Sequence, residues 1–290
     1  MSELSKDKVF KNKKKDFDKN SFPSTRVKLF KKIFLSHFGK LVLVNVLCFL
    51  FFIPLIFWDL FSTLYKSNIN DVSSLTSFII TIESPLKIIC YLICFVGLSG
   101  IIYYIRKLSW GEPVRLFNTF FTGIKQSYKQ FLVFGFIFSL FACLLELSLS
   151  ILRYVNYSNT HMIFFYGLLI VSLVLMLSVV SYCLTMSSLY FLKTTTIIKY
   201  SFLLTIKNIF LNVLFVIISY GIIVSLFMLG NVYLYFISIF IVGFIAISYT
   251  TLLWVTYANK SYYVYINLKQ YPNFFRKGLK SNGKEGELDA

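Results

Sequence analysis

Few residues in this sequence have chemistry to offer. There are two histidines, His37 and His161, and five cysteines, Cys48, Cys90, Cys94, Cys143 and Cys183. One carboxylate, Glu146, stands inside an apolar run. Nucleophilic catalysis needs a Ser or Cys beside a His and an acid. Metal-assisted hydrolysis needs a pairing such as HExxH, and an NTPase needs a GxxxxGK[ST] loop. None of these spacings is present, so no catalytic residue, metal ligand set or cofactor is expected. Cys90 and Cys94, four apart, share a helix face without a Cys-x-x-Cys pair or a nearby His. They read as small residues at helix contacts.

An intramembrane carboxylate is by default a proton site or a cation ligand. Glu146 lies toward the end of its run, and Arg153 follows seven residues on, on the same helix face. A structural pair with Arg153, or snorkelling to the interface, is preferred over a transport role. Ser178, Ser181, Thr185 and Ser188 step by three, four and three and make one polar stripe. It either lines a path for a polar ligand or, the preferred reading, packs helices with its hydroxyls bonded to backbone carbonyls.

The elements that position these groups follow from composition. Of 290 residues, 57% are hydrophobic and only 14% charged, against about 25% charged in a soluble domain. The solvent for such a chain is lipid. The formal net charge of +17 does not point to nucleic acid, because the basic residues fall between apolar runs and at both ends. Attraction to anionic headgroups explains that placement. No cleavable signal peptide is expected, since the first 37 residues are long and charged.

Six spans are predicted, at about 38–58, 86–105, 130–152, 162–192, 209–229 and 232–258. A lysine-rich tail, 1–24, is expected to be disordered. A helix starts near Ser24 or Thr25, residues 59–85 are a polar outer loop, Gly230-Asn231 is an outer turn, and 259–290 is a basic tail. Pro54 kinks the last turn of the first span. Residues 162–192 are unbroken and, as a helix, would be about 46 Å long, more than a hydrocarbon core of about 30 Å. Lys and Arg number 26 in the N-terminal segment, 106–129, 193–207 and the C-terminal tail, against three elsewhere (Lys66, Lys87 and Arg153). This puts both termini in the cytosol of a multi-pass bacterial plasma-membrane protein.

One internal stretch is amphipathic, Trp110 to Phe131. Phe117, Phe120, Phe121, Ile124, Tyr128 and Phe131 fall on one side, and Arg115, Asn118, Thr119, Thr122, Lys125, Gln126 and Lys129 on the other. Trp110-Gly-Glu-Pro makes a turn, with Pro113 suited to a first helical turn. The helix either anchors a loop at the interface or docks a cytosolic partner, with Trp110, Arg115, Phe117, Phe120, Phe121, Lys125 and Lys129 as the contact set. Phe120, Ile124 and Tyr128 align with Phe202, Ile206 and Phe210, and with Phe30, Phe34 and Phe38. The expected fold is therefore all-α, with six transmembrane helices and amphipathic cytosolic helices before spans one, three and five.

IRKLSWGEPVRLFNTFFTGIKQSYKQFLVFGFIF, residues 105–138, resembles the central signature of the YesL-like membrane proteins of Gram-positive bacteria. FLKTTTIIKYSFLLTIKNIFLNVLF, residues 191–215, is similar to that family's second signature. The family is a domain of unknown function, often encoded beside components of sugar ABC transporters and carbohydrate-degrading enzymes. The resemblance implies no catalytic residues. It implies a non-enzymatic membrane subunit associated with an ABC-type sugar or peptide transport system. An immunity or export protein against membrane-active peptides and a stand-alone permease are the alternatives. In the permease, Glu146 and the Ser178–Ser188 stripe would line one cavity.

Overall fold

A computed structural model describes residues 22–69, 71–152, 159–190, 192–221, 232–262, 266 and 278–280. These residues are almost wholly helical, and none of them lies in a strand. Arg153, the Gly230-Asn231 turn, most of the N-terminal tail and most of the C-terminal tail lie outside them.

Among the described residues, four helices are long and apolar enough to cross a membrane, or up to six if each of two bent pairs is one span. The first bent pair is α1 (Arg26–Ser36) and α2 (Phe38–Phe49), at 82° to one another. As expected, Thr25 caps α1, its hydroxyl accepting the Lys28 N–H. The first span is not one helix through residue 58. Leu50–Phe52 leave α2, and α3 (Ile53–Lys66) starts with Pro54 in its first turn. Proline has no N–H for residue 50 and clashes with its carbonyl, so the chain breaks before it instead of kinking after it.

The segment read as a polar outer loop is mostly helix. After α3, Asp71 caps α4 (Val72–Phe78), accepting the Ser74 N–H and the Ser73 and Ser74 hydroxyls. The Ser73 hydroxyl bond, then those from Ser74, hold its carboxyl down at about 2. A π-helical turn, Ile79–Glu83, runs directly into α5 (Ser84–Ser109).

Helix α5 ends at Trp110 in a Schellman motif. The Gly111 N–H bonds Leu108 O at 3.1 Å, and the Glu112 N–H bonds Lys107 O at 3.0 Å. Gly111 has φ 69°, where a side chain would be strained. The next helix, α6, is Leu116–Leu152. Pro113 therefore precedes the helix and is not in its first turn. The amphipathic stretch and the third span form this one 37-residue helix, about 55 Å long.

Helix α6 is unbroken and packs along α5. A Cβ on Gly123 would meet Tyr103 Cβ at 2.5 Å, and one on Gly135 would meet Phe95 Cγ at 2.8 Å. Small residues at these points let the two backbones approach.

Helix α7 (Asn159–Leu189) follows, then the second bent pair, α8 (Thr194–Lys207) and α9 (Ile209–Val216), with a π-helical continuation to Gly221. The pair turns by 95°. Both bends use a single residue outside the helical region, His37 (φ −122°, ψ 25°) and Asn208 (φ −114°, ψ 32°). The expected lead-in helices are thus set off by a bend in the two bent pairs, and fused into one long helix in α6.

The last span is α10 (Val232–Ile241), a π-helical turn Val242–Ala246, and α11 (Ile247–Tyr262). Asn45 of α2 braces this turn. Its amide donates to Val242 O and Gly243 O at 2.8 and 2.7 Å, and its oxygen accepts the Ser248 N–H at 2.8 Å. Helix α11 is buried almost all round, with Trp254, Tyr104, Tyr182 and Tyr262 the largest enclosed side chains. The basic tail is not wholly free of the fold: Ile266 is in the core, and the Lys280 N–H bonds Pro23 O.

Candidate functional site

Charge is sparse along the α5–α6 hairpin, and its positions mark two ends. Residues 88–105 and 130–145 contain no Asp, Glu, Lys or Arg. These stretches are about 27 and 24 Å long as helix, close to a hydrocarbon core of about 30 Å. Arg106, Lys107, Lys125 and Lys129 flank them at one end, and Glu83, Lys87 and Glu146 at the other.

At that second end five charges form one cluster. Lys66 of α3 bonds Glu83 Oε1 at 2.8 Å and Glu146 Oε1 at 2.7 Å. Lys87 of α5 bonds Glu146 Oε2 at 2.5 Å, Asp59 Oδ1 at 2.9 Å and Glu83 Oε1 at 3.3 Å. The Glu83 side chain has no exposed surface, and that of Lys87 is 8% exposed. Glu83 Oε2 has no hydrogen-bond partner among the described residues. Taken out of water, these charges are tolerable only because they are paired.

Helix α3 explains why the cluster is internal. Asp59, Ser62 and Lys66 lie on its inner face, and Phe57, Phe61, Leu64 and Tyr65 lie exposed on the opposite one. The helix is amphipathic with its charges turned inward. That arrangement suits lipid on its outer side and leaves Asp59 and Lys66 only protein partners.

Glu146 is therefore held by two lysines, Lys66 and Lys87. Its expected partner Arg153 is outside the described residues. Asp59, Lys66 and Glu83 fall in the segment read as a loop and Lys87 at the start of the predicted second span, so the sequence reading does not join them. Two signals pointed to them. Glu83 and Lys87 are spaced i,i+4, and Asp59, Ser62 and Lys66 recur at helical spacing opposite aromatic residues.

The serine stripe is a separate feature. Ser178, Ser181, Thr185 and Ser188 are all buried, and their hydroxyls bond Val174 O, Leu177 O, Ser181 O and Thr185 O within α7. Ser181 also meets Tyr220 Oη at 3.0 Å, and Thr185 meets Tyr262 Oη at 2.7 Å. Next to it, the Tyr182 and Tyr257 hydroxyls both donate to Asn212 Oδ1, and Asn212 Nδ2 donates to Thr205 O. Asn212 thereby ties α9 back to α8 across the 95° bend. Among the described residues, no hydrogen bond or ion pair joins Glu146 to the stripe.

The first end of the hairpin carries the expected docking set, only in part exposed. Trp110 is buried, and the Arg106 guanidinium lies 4.8 Å from its ring. Phe120 is also buried, against Gly100. Arg115, Phe117, Phe121, Lys125 and Lys129 are on the surface. The polar face was misassigned at Thr119, which is buried and accepts the Arg115 N–H. Thr119, Gly123 and Ser127 line the close contact with α5, and Phe117, Phe121 and Tyr128 are turned out. Against lipid or another protein, large apolar residues face outward and small ones face the neighbouring helix.

Arg106 and Gln130 also terminate α7: an Arg106 N–H donates to Ser188 O, and Gln130 Nε2 donates to Leu192 O at 2.8 Å. A cation at a helix C-terminus is favourably placed.

Long apolar helices with a charge-free band define the class of a multi-pass α-helical membrane protein. Comparison of the chain with models of known families, with characterised proteins and with solved structures finds no match.

Proposed function

We propose that this chain is a non-enzymatic, multi-pass protein of a bacterial plasma membrane, related to the YesL-like family of Gram-positive bacteria. In this reading it serves as an accessory subunit of an ABC-type transport system for sugars or peptides, with both termini in the cytosol. One observation carries the reading. Helix α6 runs 14 residues beyond its charge-free band, and this extension exposes Phe117, Phe121 and Tyr128 beside Arg115, Lys125 and Lys129. Aromatic residues interleaved with cations, on a rigid helix outside the bilayer, suit a protein partner. Anionic headgroups attract the same cations.

The test is co-purification in mild detergent from the native host. An ATPase or permease component is expected with the wild-type chain. Phe117→Ala/Phe121→Ala, two surface changes, should reduce its recovery at least tenfold with little change in thermal stability. Failure to recover any transporter component would sink the reading.

A further inference from the structure

We propose that the ion cluster of Asp59, Lys66, Glu83, Lys87 and Glu146 is a binding site for a primary ammonium group, supplied by a lipid headgroup of the outer leaflet. This is independent of any transport partner. The cluster alternates acid and base and holds three carboxylates against two ammonium groups. Among the described residues it is one cation short. The deficit has a location. Glu83 Oε1 takes both lysines, while Glu83 Oε2, on a fully buried side chain, takes no donor among the described residues. Asp59 meets Lys87 and is the most exposed of the five at 36%. Asp59 is thus the side from which a cation reaches the cluster.

The acceptors select the ligand. The two lysines stand between the carboxylates, and among the described residues no three His, Cys, Asp or Glu converge to hold a metal ion. An ammonium group needs only hydrogen bonds to separate carboxylate oxygens. A quaternary amine has no N–H to give Glu83 or Asp59 and would call for an aromatic cage instead. Placement selects the source. The cluster lies at the edge of the charge-free band, where headgroups sit, and Asp59 keeps 36% of its side chain exposed there, within reach of a headgroup.

The full chain would be placed in nanodiscs of phosphatidylglycerol alone, or of phosphatidylglycerol mixed in equal parts with phosphatidylethanolamine or with phosphatidylcholine. Phosphatidylethanolamine is expected to raise the melting temperature by about 2–4 °C, and phosphatidylcholine to leave it unchanged. Asp59→Asn should abolish the increment. No increment, an equal one with phosphatidylcholine, or one that survives Asp59→Asn would overturn the proposal. The lipid comparison needs no variant, so it stands even if Asp59→Asn does not fold. Free ethanolamine added to phosphatidylglycerol discs separates the sources. An equal increment there would uphold the ammonium chemistry and overturn the lipid source, and none would uphold both.

Discussion

Lys87 does more in this molecule than its place in the sequence suggests. It touches all three carboxylates of the cluster from a side chain that is nearly enclosed. Removing one partner of a buried charge network leaves uncompensated charge, at a cost of about 3–5 kcal/mol. Lys87→Met should therefore lower thermal stability sharply in detergent. Lys87→Met/Glu146→Gln, which removes a charge of each sign, should recover part of the loss. If the double variant is no better than the single one, the pairing is not what holds these residues. Two of the three basic residues on the lysine-poor side are thus neutralised locally, so the charge asymmetry of the surface is steeper than the count suggests.

Between elements, the decisive contact is α5 on α6. Its closeness rests on residues with little or no side chain, and Gly123 is the tightest. A Cβ there would lie 2.5 Å from Tyr103 Cβ and 3.1 Å from Ser99 O. Gly123→Val is expected to cost about 1–3 kcal/mol by forcing the helices apart. Gly39→Ala in α2 meets nothing within 4 Å and should be neutral or gain up to about 1 kcal/mol of helix propensity. Melting curves of the two variants in one detergent check the contrast. The repeat written in the spacing of Phe30, Phe120 and Phe202 is realised unevenly. The first and third copies bend at His37 and Asn208, whereas the middle copy continues as one unbroken helix along α5.

Over the whole molecule, described residues near the two ends of the chain meet. The Lys280 N–H bonds Pro23 O, and Gly278, at φ 86°, packs on Ser109 O beside the α5–α6 turn. The Arg106 and Gln130 contacts to Ser188 and Leu192 lie at this end too, and the ion cluster lies at the other. In a cysteine-free background, Ser24→Cys and Lys280→Cys should react with an impermeant thiol reagent from one side of sealed vesicles, and Asn68→Cys from the opposite side. Labelling of residues 68 and 280 from the same side would overturn the arrangement.

The sequence alone determined the helical class, the apolar runs, a helix cap at Ser24 or Thr25 and the turn at Trp110. Each depends on local composition or on a few neighbouring residues. It also determined that Glu146 and the buried serines need partners, because polar groups in an apolar run have no water. Which partners they have was decided only by tertiary structure. Lys66, Lys87 and Glu146 are far apart in the chain and meet through the packing of α3, α5 and α6. The outward face of α6 was hidden for a related reason. Apolarity separates inside from outside only where the outside is water, and along a helix facing lipid or a partner the closeness of the neighbouring backbone decides instead.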